Sequence, residues 1–236
     1  MINYAKSDTI KMKTAIIIFP GSNCDKDGLD GLNKISNNIQ QIWHKETKLD
    51  DNLDLILIPG GFSYGDYLRS GGIAANSNIM PEIIRLANKG VKVIGICNGF
   101  QILTEAGLLD GALMKNVGAK FICQNTYLSC QNQKTNFTNK INKIIQIPIA
   151  HMDGNYYCSD DVLKNLEDNN QIAFKYCNKN GETKNEFNPN GSKENIAGIF
   201  NKNKNILGMM PHPERAIDKD INGIDGMLLF NSLLNK

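Results

Sequence analysis

The amino-acid sequence predicts an α/β protein with a doubly wound, mostly parallel sheet, flanking helices and an added antiparallel portion. Short runs rich in isoleucine and valine alternate with helix-like segments through the first half of the chain, which is the pattern of strand–helix–strand units. Connections of that kind are right-handed and produce parallel strands. Polar and apolar residues alternate between residues 119 and 149, which indicates antiparallel strands with one face in water.

The first half of the chain contains four apolar runs of strand length and three helix-like segments. The strands are predicted over residues 13–19, 39–44, 53–58 and 91–96, and the helices over residues 25–38, 81–89 and 100–106. Unusual loops follow three of these strands, at residues 20–25, 59–75 and 97–99. Because parallel strands present their carboxyl ends at one edge of a sheet, we expect the three loops to converge there.

The second half predicts a strand at residues 144–150, a helix within 159–171 and a final helix at 226–234. Residues 196–200 and 206–210 are predicted to form a hairpin. No internal repeat and no linker of interdomain length is visible. We therefore predict one domain over residues 13–236, preceded by a disordered N-terminal lead over residues 1–12.

The bulk composition excludes several classes of protein. The 26 basic and 24 acidic residues are nearly balanced and form no basic block, so nothing indicates a nucleic-acid partner. The apolar runs are strand-sized, which argues against a membrane-spanning helix or a membrane partner. Six scattered cysteines without a C-x-x-C pair are typical of reduced cytoplasmic thiols rather than a disulfide framework or a zinc site. Neither a dinucleotide-binding nor a phosphate-loop glycine motif occurs, and no metal-ligand cluster is visible.

Cys97 lies where a predicted strand meets a predicted helix, between Gly95 and Gly99. This is the G-x-nucleophile-x-G spacing of a nucleophile elbow, in which side chains two residues away on either side would collide. The sulfur would stand at a helix N-terminus, where amide dipoles stabilise a thiolate. The alternative is a small cysteine buried at a strand end.

A cysteine nucleophile needs a base and a group that orients the base, and the chain has three histidines. His212 lies at a strand end between two prolines, with Glu214 two residues later, so the carboxylate can orient the imidazole. His44 is interpreted as a solvated surface residue. His151 lies in a loop with Asp153 and is either a substrate contact or part of a capped turn.

The loop that begins at Pro59 is unusually rich in glycine. Exposed backbone N–H groups in such a loop can stabilise an oxyanion, together with the N–H of Asn98 just after the candidate nucleophile. The alternative is an ordinary mobile connection between a strand and a helix.

Residues 95–101 and 211–214 resemble the catalytic signatures of the class I, triad-type glutamine amidotransferases, which have a flavodoxin-like fold. One branch of that family consists of the glutaminase subunits of phosphoribosylformylglycinamidine synthases, of purine biosynthesis. Longer strings that resemble this branch occupy residues 19–25, 43–47, 59–69, 188–192 and 210–215. The resemblance covers about residues 13–234.

The resemblance implies that Cys97 attacks the side-chain amide of glutamine. It also implies that His212 takes the thiol proton and returns one to the leaving ammonia, while Glu214 orients the imidazole. The glutamyl thioester is then hydrolysed to glutamate. By the same resemblance the N–H groups of Gly61 and Asn98 form the oxyanion hole.

Gln101 matches a family position that contacts substrate glutamine. The resemblance further implies that ammonia passes to a large ATP-dependent synthetase subunit, with a small bridging subunit completing the complex. ATP and magnesium are expected only on the synthetase subunit, and no cofactor or metal is expected in this chain.

Two rival functions are weighed against this one. A stand-alone cysteine hydrolase of the same fold commonly lacks the His-Pro-Glu strand end, and a non-catalytic binding module normally loses the nucleophile. The chain departs from the family at residues 152–155, where Met-Asp-Gly-Asn replaces the usual Gly-Glu-Gly-Arg.

Overall fold

A computed structural model describes residues 12–234, in which strands and helices alternate through the first half of the chain. Its strands are β1 (Lys13–Ile18), β2 (Asn38–Trp43), β3 (Leu55–Ile58), β4 (Lys92–Ile96), β5 (Ala112–Met114), β6 (Ile122–Cys130), β7 (Ile145–His151), β8 (Asn155–Tyr157), β9 (Ile172–Cys177), β10 (Ile196–Phe200) and β11 (Ile206–Met209). Its α-helices are α1 (Asp25–Asn33), α2 (Met80–Asn88), α3 (Asn98–Glu105), α4 (Asp160–Asp168) and α5 (Met227–Leu233).

Nine of these strands form one sheet in the order β2-β1-β3-β4-β11-β10-β9-β6-β7. Neighbouring strands from β2 to β11 pair in parallel, and those from β11 to β7 pair antiparallel. Strands β5 and β8 form a separate antiparallel pair. The predicted fold class is confirmed, including the antiparallel portion and the hairpin of β10 and β11.

The central parallel strands bring three chain segments to one edge of the sheet. All four residues of β3 are buried, as expected for a strand covered on both faces. In the register of the sheet Ile58 pairs with Gly95, and Ile96 pairs with Met209. The strands β3, β4 and β11 therefore end side by side, and the residues that follow them meet.

The helix predicted over residues 25–38 is too long, because α1 ends at Asn33. The chain turns at Ser36 instead, whose hydroxyl donates to the carbonyl of Met12 at 2.6 Å and accepts from the N–H of Asn38 at 3.0 Å. Serine side chains that bond nearby backbone groups compete with helix continuation in this way.

The N-terminal lead predicted over residues 1–12 lies outside the described residues, apart from Met12, whose side chain is buried. Within residues 12–234, no helix combines the length and the apolar character needed to cross a bilayer.

Candidate active site

Cys97 occupies the corner between β4 and α3, with a backbone φ of 52° and ψ of −106° that non-glycine residues seldom adopt. The residues on either side of the corner are in very close contact. A Cβ atom on Gly99 would lie 2.1 Å from the carbonyl oxygen of Ile58, and one on Gly95 would lie 2.5 Å from the carbonyl oxygen of Gly99. The corner therefore requires glycine at both positions.

His212 and Glu214 form a buried pair just after β11. Nδ1 of His212 lies 2.6 Å from Oε1 of Glu214, and each side chain is 1% exposed. Burial disfavours the charged imidazolium, but the Glu214 carboxylate and the Cys97 sulfur outweigh this effect and raise the pKa of His212 to about 10. Because the carboxylate accepts at Nδ1, the opposite ring nitrogen, Nε2, is the one left to exchange a proton.

The Cys97 side chain and the His212 ring approach each other over Gly60. A Cβ atom on Gly60 would lie 2.8 Å from Cε1 of His212 and 3.3 Å from Cβ of Cys97. The sulfur is close enough to raise the pKa of His212 by its charge and by hydrogen bonding, although within residues 12–234 no atom meets strict hydrogen-bond geometry to Nε2. The thiol instead contacts the carbonyl oxygen of Ala150 at 3.7 Å. A free imidazole nitrogen beside a cysteine is the arrangement that nucleophilic catalysis requires.

The three strand-end loops converge on this corner, as predicted. The N–H of Phe62 donates to the carbonyl of Gly21 at 2.8 Å, which joins the first two loops. The N–H of Ser63 donates to Oδ1 of Asn98 at 3.1 Å, which joins the second loop to the third. The second loop contains three non-glycine residues with positive φ: Tyr64, Asp66 and Leu68.

The backbone N–H groups of Gly61 and Asn98 donate to no acceptor within residues 12–234. Gly61 has a φ of 133°, and a Cβ atom there would lie 2.4 Å from the backbone nitrogen of Asn23. Neither N–H group is taken up by an acceptor in this part of the chain, and their part in an oxyanion hole stays a prediction.

Gln101 lies one helical turn after Cys97, and both ends of its side-chain amide are already bonded. Its Oε1 accepts from Nδ2 of Asn98 at 2.8 Å, and its Nε2 donates to the carbonyl of Asp153 at 2.7 Å. The residue therefore ties α3 to the turn after β7.

The interpretation of His44 as a solvated surface residue is wrong. The residue is 7% exposed, and its Nδ1 lies 2.7 Å from the hydroxyl of Tyr64. Its ring also stacks on Phe19, with ring centroids 6.1 Å apart. The charged neighbours of His44 suggested exposure, but the long loop after β3 covers it.

Sequence reasoning gave no role to Cys24, which the structure brings next to His212 and Glu214. Ligand atoms of these three side chains lie within 4.8 Å of one another, so the group has the spacing of a metal site. However, Nη2 of Arg215 lies 3.0 Å from the Cys24 sulfur. Burial raises the pKa of Cys24 to about 12, and a protonated thiol beside a guanidinium does not suit a cation. The position of Cys24 after β1 was the available signal, because β1 lies beside β3 in the sheet.

A family model of the CobB/CobQ-like glutamine amidotransferase domain matches residues 11–224. The chain belongs to this family. The amidotransferase is 48% identical over 225 residues to the phosphoribosylformylglycinamidine synthase subunit PurQ of Pelagibacter ubique (strain HTCC1062). That match covers 95% of this chain and 99% of the relative.

Solved structures share the fold of the amidotransferase. A chain in the structure of PurLQS from Thermotoga maritima matches with a TM-score of 0.84 and 42% identity, over 95% of this chain and 98% of that one. The glutaminase domain of Trypanosoma brucei CTPS with bound acivicin matches with a TM-score of 0.56 and 13% identity, over 95% and 94% of the two chains. The second likeness shows the fold alone.

We expect Gly99→Ala to destabilise the amidotransferase by about 2–3 kcal/mol, because the new methyl group meets the backbone oxygen of Ile58 rather than a movable side chain. Gly90→Ala is the control, since its methyl group meets nothing within 4 Å and carries only the strain of a φ of 93°, about 1 kcal/mol. Urea denaturation measures both free energies of unfolding. Equal losses would contradict the steric account of the corner.

Glu214→Gln is expected to lower the pKa of His212, because burial then acts without the carboxylate. In the wild type the raised pKa stabilises the fold fully below pH 6.5, and this contribution is lost as the pH rises toward about 10. The loss of stability with rising pH is smaller in Glu214→Gln, where only the Cys97 sulfur still raises the pKa of His212, whereas Glu167→Gln on the exposed face of α4 keeps the full loss. Urea unfolding across this pH range, with NMR titration of labelled histidine rings, measures the effect. An unchanged His212 titration in Glu214→Gln would refute it.

Proposed function

We propose that this amidotransferase is the glutaminase subunit of a phosphoribosylformylglycinamidine synthase and that Cys97 is its nucleophile. The observation that carries the proposal is the corner that holds Cys97 beside the buried pair of His212 and Glu214. The 48% identity to a curated PurQ subunit supports the choice of complex. The reaction is hydrolysis of glutamine to glutamate and ammonia, and the ammonia serves amidine formation in purine biosynthesis.

In the proposed first half-reaction, Nε2 of His212 takes the proton of the Cys97 thiol. The sulfur attacks the side-chain carbonyl carbon of glutamine, and the electrons of the C=O bond move to the oxygen. When this intermediate collapses, the C–N bond breaks and His212 returns the proton to the leaving ammonia. Water then attacks the thioester with His212 as the base, which releases glutamate and restores the thiol. Glu214 holds the ring and stabilises its cationic form throughout.

The unpaired N–H groups of Gly61 and Asn98 support the proposed oxyanion hole. Donors held by a rigid backbone stabilise developing charge because they need no reorganisation during the reaction. Gln101 contacts the substrate, in this proposal, by exchanging one of its two hydrogen bonds for one to glutamine.

The proposed complex contains a large synthetase subunit and a small bridging subunit. ATP and magnesium belong to the synthetase, and this chain needs no cofactor or metal for the chemistry described. The six free cysteines favour the reducing cytoplasm as its location.

Cys97→Ala is expected to lower glutamine-dependent amidine synthesis by the complex at least about 1,000-fold, because the nucleophile is absent. Synthesis from added ammonia stays near the wild-type rate, since the synthetase chemistry does not use Cys97. Cys123→Ala, which removes an exposed thiol, leaves both activities unchanged. Steady-state assays with each nitrogen source measure the effect. A parallel loss of both activities in Cys97→Ala would assign this residue a structural role and defeat the proposal.

A further inference from the structure

The turn over residues 151–154, which begins at the end of β7, runs alongside the first turn of α3. At one end the Cys97 thiol contacts the carbonyl of Ala150 at 3.7 Å. At the other end Nε2 of Gln101 donates to the carbonyl of Asp153 at 2.7 Å. The turn therefore lines the site from the nucleophile to a point one helical turn away, about 5.4 Å along the helix axis.

His151 on this turn carries a buried acceptor that has no partner among residues 12–234. The residue is 3% exposed, and its Nδ1 lies 3.1 Å from Oδ1 of Asn116. The Asn116 amide has a fixed orientation, because its Nδ2 donates to the carbonyls of His151 and Lys120, both at 2.9 Å. Nδ1 of His151 must then carry the proton, which leaves Nε2 as an acceptor with no donor in the described part of the chain.

The charge state of His151 agrees with this assignment. Burial, reinforced by the charge of nearby His212, lowers the pKa of His151 to about 4. The ring is therefore neutral at neutral pH, and its free nitrogen lies in the neighbourhood of the catalytic imidazole.

Two carboxylates lie close to each other beside this turn, those of Asp153 and Asp66. Oδ2 of Asp153 accepts from the hydroxyl of Ser70 at 2.7 Å, while its Oδ1 is buried and has no partner among the residues that the structure describes. Asp66 lies close enough that burial and the Asp153 charge raise its pKa to about 6. Nδ2 of Asn98 is 3.4 Å from Oδ1 of Asp66. Among the described residues, neither aspartate takes part in a salt bridge.

We propose that His151, Asp153 and Asp66, here called the acceptor cluster, bind the α-ammonium group of substrate glutamine. The atoms of the cluster that have no partner among residues 12–234, Nε2 of His151 and Oδ1 of Asp153, are hydrogen-bond acceptors. An ammonium group offers three N–H donors and no acceptor. The assignment rests on the proposed glutaminase function.

Glutaric acid monoamide, which is glutamine without its α-amino group, isolates this contact. Asp153→Asn removes the charge but keeps an oxygen that can accept from Ser70. In the full chain assembled with its synthetase, the variant is expected to raise KM for glutamine about 30-fold, with kcat nearly unchanged, because an ammonium loses a buried charged partner. Turnover of the monoamide stays at the wild-type rate, which also shows that the variant is folded.

His151→Asn is the second variant. An asparagine amide can still donate to Asn116, but it places no acceptor where Nε2 of His151 lies. It is expected to raise KM for glutamine about tenfold and to leave the monoamide unaffected. Asp161→Asn, an exposed position in the first turn of α4, is the control and changes neither substrate.

The outcomes separate the proposal from its rivals. If either cluster variant lowers turnover of both substrates equally, the cluster acts on released ammonia or on the fold, and the proposal is overturned. Unchanged KM for glutamine in both variants overturns it as well. A different result would show that the glutaminase function itself is wrong. In that case the wild type releases no glutamate from glutamine, or Cys97→Ala still releases it.

Discussion

The close approach of Gly99 to the carbonyl oxygen of Ile58 is the constraint on which the rest of the site depends. It lets α3 begin against the end of β3, one residue after β4 stops. Cys97 is left at the corner with a positive φ, its backbone N–H bonded to Met209 at 2.8 Å. The sulfur consequently lies at the N-terminus of α3, where the helix dipole favours negative charge.

The site joins the two halves of the sheet, although they differ in architecture. The parallel half supplies Cys97 and the loop after β3. Strand β7 is the last strand of the antiparallel half in the strand order. It nevertheless contacts the segment that follows β11, because the carbonyl oxygen of Pro148 accepts a hydrogen bond from the N–H of His212 at 2.8 Å. The backbone N–H of His212 and the thiol of Cys97 therefore both contact carbonyl oxygens of β7, in the antiparallel half. A change in the packing of β7 would therefore reach Cys97 and His212 without any substitution at either residue.

Local patterns were sufficient to predict most elements and to single out Cys97, His212 and Glu214, which the structure brings together. The glycines around Cys97 and the prolines around His212 act within a few residues, so a single stretch of sequence reveals them. The end of α1, the burial of His44 and the bonds of Gln101 depend instead on partners far along the chain, such as Met12, Tyr64 and Asp153. Tertiary contacts of that kind leave no periodic signal. The same holds for Cys24, whose neighbours come from β3 and β11.

Covalent labelling by a diazo-ketone analogue of glutamine tests whether Cys97 is the nucleophile. The chain, assembled with its synthetase, is treated with the analogue, digested and examined by mass spectrometry for the six cysteines. The account predicts modification of Cys97 alone and protection by glutamine. Cys24 is the internal comparison, since it is buried nearby with a pKa raised to about 12. An unmodified Cys97, or labelling of Cys24 in its place, would contradict the account.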